Sequence, residues 1–307
     1  MNHRALSFLP IDSTTVRLLS LATRAYFALA SRLRPGLARR HAERLFTTPP
    51  RPARRWPTPA AARRDSVPTP AGHVAVWQAG PAEAPAVLLS HGWGGAGAQL
   101  GGFVAPLLAR GFRVVWLDHP GHGDSDGRRS ALPELVAAIR AVDAACGPFH
   151  AAVGHSLGAA ALTLALRDGL PLARVVLVGA PASLVEYMHG FARRLGLSAA
   201  VREGLRRRIE QRYGSAFADI DRLDDLGRLT LPALLVHDAG DRHAPFAHGE
   251  RIAAALPGAR LVRTHGLGHF RILRRPEVQR LVAAFVAGEL AAPPAELPAL
   301  PVPAPLY

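Results

Sequence analysis

A serine framed by glycines, Gly154-His155-Ser156-Leu157-Gly158, follows the short apolar run Ala151-Ala152-Val153. It precedes Ala159-Ala160-Ala161-Leu162-Thr163-Leu164-Ala165-Leu166, which has helical character. Strand, G-x-S-x-G and helix in that order describe a sharp turn that lifts a hydroxyl clear of a sheet. The glycines are needed because bulk two residues either side of the serine would meet the neighbouring strand and helix. The same turn aims the Leu157 amide and the start of the helix at negative charge developing beside the serine. The chemistry this predicts is nucleophilic attack by Ser156. Such a serine needs a base, an acid to orient the base, and donors for an oxyanion.

Each partner is expected at a strand end. After the apolar run Ala86–Ser90 comes His91-Gly92-Trp93-Gly94-Gly95, whose turn can present the Trp93 amide as a second oxyanion donor beside Leu157. After His237 comes Asp238-Ala239-Gly240-Asp241-Arg242-His243-Ala244-Pro245. Asp241 stands further into this loop and is preferred as the orienting acid. Asp238, nearer the strand, is expected to brace the loop. Thr264-His265-Gly266-Leu267-Gly268-His269-Phe270 offers two bases. The flexible glycines favour His269, and His265 at the strand end is the second choice. Asp118-His119-Pro120-Gly121-His122-Gly123-Asp124-Ser125 invites a metal reading. That reading is set aside because Pro120, Gly121 and Gly123 make the segment a turn, with no helical spacing of ligands. Its expected role is to shape the pocket rim.

The elements that must hold these residues alternate. Strands are expected at His73–Trp77, Ala86–Ser90, Phe112–Leu117, around Ala151–Val153, and at Arg174–Val178, Ala233–His237 and Leu261–Thr264. Helices are expected at Phe103–Arg110, Leu132–Ala145, Ala159–Leu166 and Glu277–Leu290. Apolar strands alternating with helices predict an α/β fold with a mostly parallel sheet covered on both faces. Residues 183–228 interrupt the alternation and predict a helical cap inserted before the penultimate core strand. Its apolar members, among them Tyr187, Met188 and Phe191, either line substrate space or pack the cap down, and Arg206-Arg207-Arg208 is taken as a solvated face. Residues 66–182 and 229–290 would form the core, and residues 291–307, rich in Ala and Pro, a loose tail.

Net charge is +14, and all 37 basic residues are arginine. Residues 1–65 hold 13 arginines against Asp12, Glu43 and Asp65, a net of +10, so the basicity belongs to an N-terminal arm. Within the arm, Thr14 to Leu33 has helical apolar spacing interrupted by Arg17, Arg24 and Arg32. No run reaches the roughly 18 apolar residues of a membrane span, and a secretory signal fits poorly. A helix docked on its own domain is preferred over weak contact with a membrane surface. Pro49 to Pro70 reads as an extended connector. The arm has few aromatics and no recognition motif, so nucleic acid is not an expected partner. The single cysteine, Cys146, excludes an internal disulfide and fits a reducing, cytoplasmic setting.

Taken together, the turn at His91-Gly92-Trp93-Gly94, the loop Asp118–Ser125, the serine turn, Asp238–Pro245 and Gly268-His269-Phe270 resemble, in content and order, the serine hydrolases of the α/β-hydrolase fold, esterase- or lipase-like. The resemblance covers about residues 72–290. It implies a triad Ser156–Asp241–His269, an oxyanion hole from Trp93 and Leu157, and acyl transfer to water without metal or organic cofactor. The implied substrate is a small-molecule ester with an apolar acyl part. Thioester or C–C bond hydrolysis on the same triad stays open, as does a non-catalytic module acting through the basic arm. Serine rather than aspartate at 156 argues against dehalogenases and epoxide hydrolases of this fold. The His91 turn also lacks the extended glycine run of the hormone-sensitive-lipase type.

Overall fold

The structure, a computed structural model, describes residues 13–50, 56–59, 62–290 and 292–298. Among the described residues eight strands are formed: β1 (Arg63–Thr69), β2 (Gly72–Ala79), β3 (Ala86–Ser90), β4 (Arg113–Leu117), β5 (Phe149–His155), β6 (Arg174–Val178), β7 (Ala233–Asp238) and β8 (Ala259–Thr264). They join one sheet in the order β1-β2-β4-β3-β5-β6-β7-β8, in which β2 runs antiparallel to both its neighbours, β1 and β4, and all other pairs are parallel.

The near-continuous apolar runs exist because the central strands are buried on both faces. Successive residues alternate between two cores. Ala86 and Leu88 enter one and Val87 and Leu89 the other, as do Val115 and Leu117 against Val114 and Trp116. Helices α1 (Ser13–Leu33) and α2 (Pro35–Thr47) precede the sheet, and α3 (Val104–Leu108) follows β3. Helices α4 (Leu132–Cys146) and α5 (Leu157–Arg167) then flank β5. Helices α6 (Leu184–Leu195), α7 (Ala199–Tyr213) and α8 (Phe217–Ile220) lie between β6 and β7, the predicted place of the insertion. The chain closes with α9 (Phe246–Ala255), α10 (Gly268–Arg271) and α11 (Pro276–Val286). Leu135, Ile139 and Val142 of α4 and Leu162 and Leu166 of α5 fill the first core. Leu107 of α3 and Val278, Val282 and Phe285 of α11 fill the second.

Two differences from the sequence expectations have physical causes. The connector expected from Pro49 to Pro70 becomes strand β1 at Arg63, pairing with β2 from Arg63↔Gln78 to Thr69↔Gly72. It is an edge strand with Val67 as its one buried residue, so it carries no apolar alternation, and an edge tolerates Pro68. The tail, where described, is tied to the other edge: the Arg263 amide donates to Ala295 and the Leu297 amide to Arg263.

The chain divides into two compact units. One holds the described residues up to Phe46 together with Val185–Gly214, and the other runs from Thr47 to Leu184 and onward from Ser215. In the smaller unit α1 and α2 pack with α6 and α7. Phe46 meets Phe191 edge-on at 5.1 Å and Tyr187 at 5.7 Å. Arg24 donates to the Arg193 carbonyl at 3.2 Å. Glu43, 3% exposed, accepts from Arg208 at 2.6 Å and Arg212 at 2.7 Å. Burial pushes the Glu43 carboxyl up, but the two guanidiniums outweigh it and hold it below its ordinary value. Arg206 pairs with Glu203 and Glu210, and Arg207 with Glu203. The arginine cluster is thus engaged in internal ion pairs.

Candidate active site

Strand β5 ends at His155 and α5 begins at Leu157, so Ser156 occupies the turn alone, with φ 53° and ψ −123°. It is the one non-glycine residue with positive φ among the described residues. That strained backbone is held from both sides. The Ser156 amide donates to the Val178 carbonyl at 2.9 Å, and the Ser156 carbonyl accepts from Ala159 at 2.9 Å. The framing glycines have the close approaches expected of them. A Cβ on Gly154 would fall 2.6 Å from Ala159 Cα, and one on Gly158 would collide with the Ser90 and His91 carbonyl oxygens.

The turn after β3 lies directly against the serine, since a Cβ on Gly92 would fall 2.8 Å from Ser156 Cβ. Its conformation is locked by His91. The ring Nδ1 donates to the Gly92 carbonyl at 2.7 Å, and Nε2 accepts from the His119 amide at 3.0 Å. This fixes one neutral tautomer. Burial, with His119 and His122 beside it, holds His91 well below the usual imidazole range. Trp93 continues the turn, its ring edge-on to His122 at 5.3 Å. Leu157 is the first residue of α5, where an amide has no acceptor within the helix.

The Asp118–Ser125 loop is stitched to the sheet by its own polar groups. Asp118, its carboxyl raised by burial, accepts from the amides of Gly97 at 2.7 Å and Asp124 at 2.8 Å. Ser125 Oγ donates to the Asp118 carbonyl at 2.6 Å and accepts from the Ala75 amide at 2.8 Å. His122 donates to the Pro120 carbonyl at 2.9 Å, and burial takes its pKa down to about 4.

Asp241 and His269 meet across the ends of β7 and β8. Both are buried, and His269 Nδ1 donates to Asp241 Oδ2 at 2.6 Å. Asp241 Oδ1 accepts from the amides of His243 at 2.7 Å and Ala244 at 3.0 Å. Burial raises the Asp241 carboxyl, but His269 and these amides overcome it and leave it below its ordinary value. Asp238 does different work. One oxygen accepts from Thr264 Oγ1 and the Leu267 amide, both at 2.9 Å, and the other from the Gly240 amide at 3.0 Å. It therefore ties the β7 loop to the loop that carries His269. His265 turns away and pairs with Glu296.

Two contributors were not singled out by sequence reasoning. His155 donates from Nε2 to the His269 carbonyl at 2.9 Å, with ring centroids 4.7 Å apart, and so fastens the His269 loop to the strand that delivers Ser156. Its ring is buried, and burial takes its pKa down to about 3. His243 stacks on the outer face of His269 at 4.9 Å and 27°. Both lie inside the quoted motifs, but no spacing rule distinguishes them from filler.

Comparison with known proteins agrees with this fold. Residues 85–198 match the family model described as alpha/beta hydrolase fold. A pimeloyl-[acyl-carrier protein] methyl ester esterase of Aromatoleum aromaticum is 29% identical over 251 residues, covering 63% of this chain and 94% of that protein. Among solved structures, an esterase of Pyrococcus furiosus superposes with TM-score 0.60 at 18% identity, over 78% of this chain and 98% of that one. The carboxylesterase CesB of Bacillus subtilis does so with TM-score 0.56 at 18% identity, over 83% and 99%. With the sheet order, the match to residues 85–198 and the superposed esterase structures in agreement, the chain has the α/β-hydrolase fold.

Proposed function

We propose that this protein hydrolyses carboxylic esters through an acyl-enzyme formed on Ser156. The observation that carries this is the pairing of two features. Ser156 is held at a strained turn, and a buried His269 is oriented by Asp241 at 2.6 Å beyond the ends of β7 and β8. In the first step His269 Nε2 takes the Ser156 proton as Oγ attacks the ester carbonyl. Asp241 keeps the proton on Nδ1 and stabilises the imidazolium. The amides of Leu157 and Trp93 receive the oxyanion. His269 then protonates the departing alkoxide, and the alcohol leaves. In the second step His269 activates water, which releases the acid and restores Ser156.

The relative named for a methyl ester supports a small alcohol as leaving group, with an apolar chain on the acyl side. The test is turnover of methyl and p-nitrophenyl esters with acyl chains from short to long, in wild type, Ser156→Ala and His269→Ala. Turnover that drops by about 10⁴-fold or more in both variants supports the assignment. Absence of turnover at every chain length, together with no labelling of Ser156 by a fluorophosphonate, overturns it.

A further inference from the structure

Helix α1 is apolar on two opposite sides. One side is buried in the smaller unit: Phe27 is 2% exposed, Ala30 and Ser31 8%. The other side carries Leu18, Leu19, Leu21, Leu29 and Leu33, each between 60 and 68% exposed, with Tyr26 at 40%. Leu18, Ala22, Ala25, Leu29 and Leu33 recur at intervals of three and four residues and form one continuous stripe. A soluble surface helix ordinarily turns polar residues outward, so a leucine stripe of this length marks an interaction face.

Charge selects the occupant. Helix α1 contains Arg17, Arg24 and Arg32 and no acidic residue. The segment that follows adds Arg34, Arg39, Arg40 and Arg44. The one carboxylate of α2, Glu43, is buried and committed to Arg208 and Arg212. Among the described side chains, the exposed charge of α1 and α2 is therefore positive throughout. Two copies of such a face would bring arginines against arginines with no acid to compensate. An anionic bilayer instead offers phosphates to the flanking guanidiniums and acyl chains to the leucines. No described helix is long and apolar enough to cross a membrane. We infer that α1 lies in the interface of an anionic lipid bilayer, with its leucine stripe entering the acyl boundary.

The experiment uses the full chain in flotation with phosphatidylcholine vesicles and with vesicles of phosphatidylcholine and phosphatidylglycerol at 70:30. The expected result is flotation with the anionic vesicles, at least tenfold weaker on neutral ones and weakened by 0.5 M NaCl. The double variant Leu29→Asp, Leu33→Asp should lose at least tenfold in binding while retaining ester turnover and helix content. A second arm places an environment-sensitive fluorophore at Leu18→Cys, which should shift to the blue on anionic vesicles only. The inference is overturned if the wild type stays with the unbound fraction, if the double variant floats equally well, or if the fluorophore does not shift. It is also overturned if sedimentation velocity shows a wild-type dimer that the double variant converts to monomer, because the stripe then belongs to a second copy.

Discussion

His155 and His269 are joined by a hydrogen bond from the His155 Nε2 proton to the His269 carbonyl, 2.9 Å long and buried. The residue immediately before the proposed nucleophile thus holds the main chain of the proposed base. His155→Phe keeps the packing and deletes the bond, so His269 loses its anchor to β5. Misplacement on the scale of an ångström costs about 10²-fold. The expected outcome is a kcat reduced about 10- to 100-fold with KM little changed. His155→Gln, which retains a donor, should recover part of the loss. Steady-state kinetics on one soluble ester checks this, and a fall in KM binding alone would contradict it.

Asp241 and Asp238 should separate cleanly by substitution. Asp241→Asn leaves the size of the side chain but presents the wrong group to His269 Nδ1, and kcat should fall by about 10⁴-fold. Asp238→Ala removes the acceptor of three bonds to Thr264, Leu267 and Gly240. Its cost should appear as about 2–4 kcal/mol of stability, with the residual activity of folded protein far above that of Asp241→Asn. Urea unfolding beside kinetics distinguishes the two.

Gly158→Ala should fail both tests at once. The added methyl collides with the backbone carbonyls of Ser90 and His91, neither of which can move without disturbing β3 and the turn after it. A loss of about 2–4 kcal/mol is expected, read as a lowered Tm, with activity reduced at least 100-fold.

The buried histidines make stability depend on acid. An unfolded histidine titrates near 6.5, whereas in the fold His155 waits until about 3 and His122 until about 4. His91 and His119 are likewise held well below 6.5 by burial. Below pH 6.5 the unfolded chain therefore binds protons that the folded chain refuses, and stability falls as pH falls. At pH 5.5 His155 and His122 each cost about 1.4 kcal/mol, a sizeable part of the stability of a typical domain, and His91 and His119 act in the same direction. Urea midpoints measured from pH 7.5 down to 5.5 should drop steeply. His122→Asn should flatten the slope.

Glu43→Gln tests the ionic tie of the smaller unit. It leaves Arg208 and Arg212, each nearly half exposed, without their shared carboxylate. A destabilisation of about 2 kcal/mol is expected, less than for a fully buried triad because water can reach both guanidiniums. Hydrogen exchange of α2 and α7 amides should quicken while that of β5 does not.

The core sheet and the serine turn were legible because burial on both faces writes itself as unbroken apolar runs, and because a strained turn demands glycine at fixed offsets. Asp241 was preferred over Asp238 by reach alone, and it is the carboxylate that His269 Nδ1 meets. Strand β1 was hidden because an edge exposed to water needs no apolar pattern. The packing of α1 and α2 with α6 and α7 was hidden for another reason. Its key contact joins Glu43 to Arg208 across 165 positions, and no local rule links one buried acid to an arginine that far away. His155 escaped notice because its role depends on where a distant loop returns.

The union of α1 and α2 with α6 and α7 also sets a timetable. During synthesis the chain emerges N-terminus first, at about 5–20 residues per second. Helix α2 ends at Thr47, but its partner α7 is not complete until Tyr213. For roughly 8–30 s the first two helices exist without the surface they are built to cover. Phe27, Phe46 and the outward leucines are then all bare together. Two helices made well before α7 are thus among the last elements that can finish folding, and through that interval their apolar faces stay open to water.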